Sequence, residues 1–239
     1  MGDIQPKYKR VLLKISGEAL AGEQGTGLDF AVMKEVALAV KSIVDLGVEV
    51  GIVVGGGNFW RGVKNGTGKM QRTRADQMGM MATVMNSLAL SDVFMQNDVP
   101  VRVMTALSMP TVAEPYSYAR AEKHLSSGKV VIFGAGTGAP FFSTDTAAVL
   151  RAAEIGADAI LLAKNIDGVY SADPKLDPTA VKFDKISYDE VLSRHLAVMD
   201  STATSLASDN SIPVLVFALK DPANIKRVCL GEEIGTRVG

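Results

Sequence analysis

The chain has 239 residues, 47% of them hydrophobic and 21% charged, with 25 basic against 26 acidic side chains and a net charge of −1. That composition excludes a disordered chain, and near-neutrality argues against a nucleic-acid partner held through its phosphate backbone. One cysteine, Cys229, and two histidines exclude a disulfide scaffold and a Cys/His zinc site. The longest apolar run is six residues, Val214 to Leu219, against roughly 18 for a membrane-crossing helix, so no membrane partner is expected. A cytoplasmic enzyme fits these bounds.

Strand and helix signals alternate along the chain. Lys7, Lys9 and Arg10 ahead of Val11-Leu12-Leu13, with Ala19-Leu20-Ala21 beyond, imitate a secretory leader. Lys14 and Glu18 interrupt the apolar stretch, so Arg10 to Ile15 is read as a buried strand instead. Asp29 is placed as the N-cap of a helix to Leu46, with Val32, Val36, Val40 and Ile43 at helical spacing and Gly47 as the stop. Val48 to Val54 is the next strand. A Met-rich helix follows around Ala75 to Gln96, then a strand at Val101 to Met104, a helix near Tyr116 to Ser126 and a strand at Lys129 to Phe133. Thr144 to Ile155 reads as a helix capped by Thr144-Asp145, and Ala159 to Ala163 as a strand. Asn165 to Lys185 looks irregular. Helices near Tyr188 and Thr202, a strand at Val214 to Ala218 and a helix from Asp221 complete the chain. The alternation predicts an α/β fold with a mainly parallel sheet covered on both faces, in one domain over 1–239 with two functional lobes, roughly 1–160 and 161–239.

Ligands in such folds bind beyond the carboxyl ends of the strands. Four glycine-bearing loops follow strands: Lys14-Ile15-Ser16-Gly17, Gly55-Gly56-Gly57-Asn58, Gly134-Ala135-Gly136-Thr137-Gly138 and Asp167-Gly168-Val169-Tyr170. Glycines let backbone N–H groups approach an anion, so four loops at one edge point to a ligand with several phosphates. No GxxxxGK[ST] motif occurs. Gly134, Gly136 and Ala139 match the dinucleotide fingerprint, but Pro140, Phe141 and Phe142 follow, so no helix N-terminus opens where a pyrophosphate would need it. Lys14, on an otherwise apolar strand just before Ser16-Gly17, is read as a cation aimed into the glycine cluster rather than one snorkelling to water. Arg61 is either a phosphate fork or a solvated loop residue, and Asp76, Asp145 and Asp200 each double as helix caps or first-turn acids. Phe141 and Phe142 either shape a pocket or lie in the core under a loop. Met78, Met80, Met81 and Met85 are read as packing or subunit interface, Cys229 as inert core, Trp60 as packed under the glycine loop, and His124 and His195 as surface or helix-end residues.

The loops together resemble those of the bacterial-type UMP kinase family, within the amino acid kinase superfamily. Lys14-Ile15-Ser16-Gly17-Glu18, Gly55-Gly56-Gly57-Asn58 with Arg61-Gly62, and Asp167-Gly168-Val169-Tyr170 with Asp173-Pro174 are similar to its loops in the same order. Thr137 to Asp145 resembles the segment that wraps the acceptor nucleotide there. The resemblance implies a three-layer α/β/α fold of the carbamate kinase type, and transfer of the ATP γ-phosphoryl group to UMP with Mg²⁺, in pyrimidine nucleotide synthesis. It puts Lys14, Ile15, Ser16, Gly17, Gly57 and Arg61 at the ATP phosphates, and Lys164, Tyr170 and Asp173 at the adenosine. It puts Gly56, Asp76, Thr137, Gly138, Ala139, Pro140, Phe141, Phe142, Ser143 and Thr144 at UMP. Asp145 and Asp200 would organise the catalytic lysine and the metal-nucleotide, with no direct metal ligand named. Gly22-Glu23-Gln24-Gly25-Thr26-Gly27 falls at a GTP-responsive loop, and the family implies a homohexamer activated by GTP and inhibited by UTP. Ala139, where Asn is common in the family, and Lys164-Asn165 depart from its pattern. Two alternatives remain on this scaffold: a kinase of another small acidic acceptor, and a non-catalytic nucleotide-binding or storage assembly.

Overall fold

A strand apolar on both faces must be covered on both faces, and β1 (Arg10–Ile15) is such a strand. The structure is a computed structural model and describes residues 5–60 and 70–239. β1 lies inside a nine-stranded sheet, paired in parallel with β2 (Glu49–Val54) on one side and β6 (Ala159–Lys164) on the other. Beyond β2 come β5 (Val130–Gly134), β3 (Val101–Thr105) and the two-residue β4 (Glu114–Pro115). Beyond β6 come β10 (Val214–Ala218), β11 (Thr236–Val238) and β9 (Lys185–Ile186). Among these pairings only β10 with β11 is antiparallel, and β7 (Val169–Tyr170) with β8 (Lys182–Phe183) forms a separate hairpin.

Side-chain alternation along β1 divides the core. Val11, Leu13 and Ile15 face α1 (Phe30–Val44), α2 (Arg72–Gln96) and α7 (Asn224–Cys229), meeting Val36, Val40, Leu90, Phe94 and Ile225. Leu12 faces the other way, toward α3 (Tyr118–Ser126), α4 (Thr144–Glu154), α5 (Tyr188–Ser193) and α6 (Ser201–Asp209). The result is the expected three-layer sandwich, with the leader-like segment as its central strand.

Several local expectations need correction. α2 begins at Arg72, ahead of Ala75, because Gln71 is its N-cap, so Asp76 sits in its second turn rather than at its cap. α4 is capped by Ser143, one residue before Thr144, since the Ser143 hydroxyl accepts the Asp145 and Thr146 N–H groups. The irregular stretch holds the β7–β8 hairpin and part of β9. A closing strand, β11, follows the last helix, where three residues are too few to show a period. By length and composition alone α2 could cross a membrane, so apolar run length does not settle that question. It packs along the sheet with Leu90 and Phe94 fully buried, as a core helix does. Asp29 caps α1 as expected, accepting from Ala31 N at 2.9 Å and Val32 N at 3.2 Å. Cys229 is buried, which pushes its thiol up to about 12 and makes it a poor nucleophile.

Two outcomes follow. Asp29→Ala removes the acceptor for two orphan N–H groups and should lower unfolding free energy by about 1 kcal/mol in a urea titration. Glu114 is partly desolvated, which alone would raise its pKa, but hydrogen bonds from His124 and Arg120 outweigh burial and hold it below the usual carboxylate value. A depressed carboxyl stabilises the fold above its unfolded pKa and loses that contribution as pH falls through its folded one. Glu114→Gln should therefore flatten the acid limb of the stability–pH curve below about pH 4.5.

Candidate active site

Parallel pairing puts the carboxyl ends of β1, β2, β5 and β6 at one edge, so the glycine loops emerge together there. Gly17 is required by close approach: a Cβ on it would lie 2.5 Å from the Gly55 carbonyl oxygen. Gly56 is equally pressed against α2, where a Cβ would come within 2.8 Å of the Ala82 Cβ and 2.9 Å of the Gly79 oxygen. The fourth loop differs. Gly168 packs against Thr236 and Lys182, and the neighbouring Val169 N–H donates to the Thr236 hydroxyl at 2.8 Å. It joins the hairpin to β11, and its glycine is accounted for by packing.

Lys14 shares the face of Leu12 on β1, the face on which α4 packs, and is only 8% exposed. Its ammonium therefore meets the first turn of α4, with Nζ 2.6 Å from Asp145 Oδ1. Asp145 is thus the lysine's counter-ion and not a cap. Lys14 is thus not an edge-strand lysine snorkelling to water: its ammonium is buried and paired. At the neighbouring strand end the Lys164 ammonium donates to the Val198 carbonyl, with the Ala197 carbonyl 3.5 Å away. Burial holds Lys164 below the ordinary lysine range, with Asp145 opposing the shift and Lys14 adding to it.

The start of α6 closes this corner. Asp200 caps it, accepting from Ala203 N at 2.9 Å, and also accepts from the hydroxyls of Ser143 and Thr146. One carboxylate therefore links the N-termini of α6 and α4, and Ser143 passes the link on to the Asp145 N–H. Two helix N-termini and two carboxylates thus meet through Ser143, and one of the two carboxylates, Asp145, pairs with Lys14.

Beside them lies a cavity of about 150 Å³. It is lined by Gly56, Asp76, Gly136, Thr137, Ala139, Phe142, Ser143 and Thr144, and also by Trp60, Ala75, Gly79, Met80 and Thr83. Most of the expected acceptor residues thus meet. Gly138, Pro140 and Phe141 do not line the cavity; Gly138 approaches Ala106, and the Phe141 N–H donates to Asp76 Oδ2 at 2.8 Å. Asp76 also takes both carboxylate contacts from Arg72 Nε at 2.8 Å. Phe141 and Phe142 are 64% and 51% exposed, so the core reading fails for both; Phe142 borders the cavity, and Phe141 lies near the Arg72 guanidinium.

Trp60 does more than pack. Its ring lines the cavity and its Nε1 donates to the Ala75 carbonyl at 2.8 Å. Sequence reasoning missed Ala75, Gly79 and Thr83. Their signal was the run of small and polar residues on one side of an otherwise apolar helix, which admits loops close to its backbone. Tyr170 donates to Asp167 at 2.8 Å, and Asp173 caps a turn through Lys175 N at 2.9 Å. The Ser16 hydroxyl makes no hydrogen bond among the described residues, and Ile15 is fully buried. Arg61 lies outside the described residues. His124 bonds Glu114 and His195 follows α5, so neither lines the cavity.

Fold and site define a phosphotransferase of the kinase class. The model of the amino acid kinase family matches residues 9–218, and the chain belongs to that family. Its structure is similar to that of a UMP kinase from Bacillus anthracis, at 44% identity and a TM-score of 0.93, over 97% of this chain and 96% of that one. A UMP kinase from Ureaplasma parvum is 36% identical with a TM-score of 0.91, covering 98% and 99% of the two chains. A uridylate kinase from Archaeoglobus fulgidus is 31% identical with a TM-score of 0.75, covering 96% and 99%.

The Lys14–Asp145 pair makes a direct prediction. Lys14→Met leaves a largely buried carboxylate without its cation and should destabilise the fold by on the order of 1–3 kcal/mol. Adding Asp145→Asn should recover much of that loss. Urea unfolding of the two single variants and the double variant reads the coupling, and strict additivity would show that the pair is not maintained in solution.

Proposed function

We propose that the protein is a UMP kinase, transferring the γ-phosphoryl group of ATP reversibly to UMP to give ADP and UDP. The observation that carries the reading is the convergence of Gly56, Asp76, Thr137, Ala139, Phe142, Ser143 and Thr144 on one cavity, a single residue from the acid that holds Lys14. The likeness to three solved UMP or uridylate kinases over nearly the whole chain supports it.

The nucleophile is then a phosphate oxygen of UMP. A phosphate monoester has a second pKa near ~6, so it is mostly dianionic at neutral pH and needs no general base. That agrees with a cavity without histidine. The difficulty is repulsion between about six negative charges on two substrates. Lys14 would bridge to the phosphoryl group in flight, and the N–H groups of the Gly17 and Gly57 loops, with Arg61, would hold the donor phosphates. Asp145 and Asp200 would orient Lys14 and the loop around Ser143, so catalysis is positioning plus electrostatics. Lys164, Tyr170 and Asp173 are assigned to the adenosine side, and Asp76 to the UMP ribose.

Among the described residues no cluster of three or more His, Cys, Asp or Glu side chains could hold a metal, and both acids here already carry hydrogen bonds or an ion pair. This donor set fits Mg²⁺ carried mainly by nucleotide oxygens and waters, facing Asp145 and Asp200. Bound there, Mg²⁺ would neutralise charge developing on the phosphates.

The reading extends to the division into acceptor lobe (1–160) and donor lobe (161–239), to pyrimidine nucleotide synthesis in the cytoplasm and to assembly of like subunits. Met78, Met81 and Met85 form an exposed stripe along α2 that a second copy would cover in the homohexamer the resemblance implies. Activation by GTP and inhibition by UTP would act at or near Gly22–Gly27.

ADP release from ATP and Mg²⁺ with UMP, CMP, dTMP or AMP tests the reading. Turnover selective for UMP, and at least ~100-fold slower in Lys14→Ala, is the expected result. ATP binding without turnover of any acceptor would instead favour a nucleotide-binding assembly.

A further inference from the structure

Asn58 and Asn86 are polar, 3% and 0% exposed, and unused by the mechanism above. Their carboxamides form a reciprocal pair: Asn58 Nδ2 donates to Asn86 Oδ1 at 2.9 Å, and Asn86 Nδ2 donates to Asn58 Oδ1 at 2.7 Å. The second hydrogen of Asn86 goes to the Gly55 carbonyl at 2.6 Å, and that of Asn58 to the Gly27 carbonyl at 2.7 Å. All four amide hydrogens are used. Turning either carboxamide over would set oxygen against a carbonyl and nitrogen against nitrogen, so the orientation is forced.

The Gly55 carbonyl is the one that Gly17 approaches so closely. In a planar trans peptide the N–H points opposite to the C=O. Asn86 therefore sets the direction of the Gly56 N–H. The N–H groups of Gly56, Gly57 and Asn58 have no acceptor among the described residues, although Gly56 and Asn58 are buried. Buried N–H groups left without a partner are costly, and three in succession form an anion cradle. From the neighbouring turn of α2, the Thr83 hydroxyl accepts the Ala135 N–H at 2.9 Å, so one helix holds both glycine loops.

We propose that Asn86 and Asn58 are positioning residues for phosphoryl transfer: their amide pair orients the Gly55–Gly56 peptide and so aims three consecutive N–H groups at the phosphates. This rests on the kinase reading. The pair touches no substrate and acts through the loop. It also bonds Gly27 and, through the Asn58 carbonyl, Thr26 (3.0 Å), which ties the pair to the neighbouring glycine-rich segment.

The test has two arms. In the unmutated protein, hydrogen–deuterium exchange is followed with ATP, with UMP and with neither. Slowed exchange of the amides at 56–58 is expected, and unchanged exchange in an enzyme that turns over overturns the proposal. In the second arm Asn86→Asp keeps the shape but cannot donate to Gly55, and Asn86→Ser is the fallback if it does not fold. A fall in kcat of about 10- to 100-fold with a raised ATP KM, at a temperature where circular dichroism shows the native fold, is expected. Ser91→Ala, elsewhere on α2, should leave kcat unchanged. Wild-type kcat and ATP KM in a folded Asn86 variant, with only the melting temperature lowered, would mean that the pair is merely structural. A wild-type protein that releases no ADP with any acceptor overturns the kinase reading instead, and ATP protection of 56–58 still reports on the cradle.

Discussion

A lysine ammonium buried at the end of a central strand cannot stand alone. Removing its hydration costs several kcal/mol unless charge and hydrogen bonds replace the water. Lys14 is in that position, and much of the site follows from it. Asp145 must be close, so the first turn of α4 must lie over the end of β1. Ser143 must cap that turn, and Asp200 holds Ser143 from the start of α6. The lysine thus specifies where two helices begin. The same arrangement leaves a cation at a strand end beside a glycine loop, ready for an anion.

The polar side of α2 has the complementary role. A helix this apolar would pack well enough with alanines at its buried polar positions. Thr83 and Asn86 instead spend their hydrogen-bonding groups on the Ala135 N–H and the Gly55 carbonyl. Buried polar groups that are fully satisfied specify one arrangement, and here the arrangement is that of two loops. Helix α2 also carries Asp76 toward its N-terminal end, so the cavity lining and the geometry of the glycine loop share one rigid element.

Charge is distributed unevenly around the site. The lysines Lys14 and Lys164 end neighbouring strands and repel, and Lys164 is held below its ordinary range by burial and by Lys14. Its contact with the Val198 carbonyl anchors the chain just before Asp200. A polyanionic ligand relieves that repulsion, which is the electrostatic setting expected of a site that gathers phosphates.

Order and periodicity along the chain were enough for the layers, the parallel sheet and the edge where the glycine loops gather, because strand–helix alternation leaves few ways to cover both faces. Asp29 and Asp200 were readable as caps because capping is local chemistry. The residues that line the cavity were grouped in the sequence only through resemblance. Folding alone decided what each loop glycine packs against: Gly17 and Gly168 look alike in sequence, yet one faces the Gly55 carbonyl and the other faces Thr236. It also decided that Asp145 pairs with Lys14, that Phe141 and Phe142 lie outside the core, and that Asn58 meets Asn86 across 28 positions. These are contacts between elements far apart in sequence, and no local pattern encodes them. Short strands such as β4 and β11 stayed unread for the same reason: their register comes from the neighbouring strand, not from their own few residues.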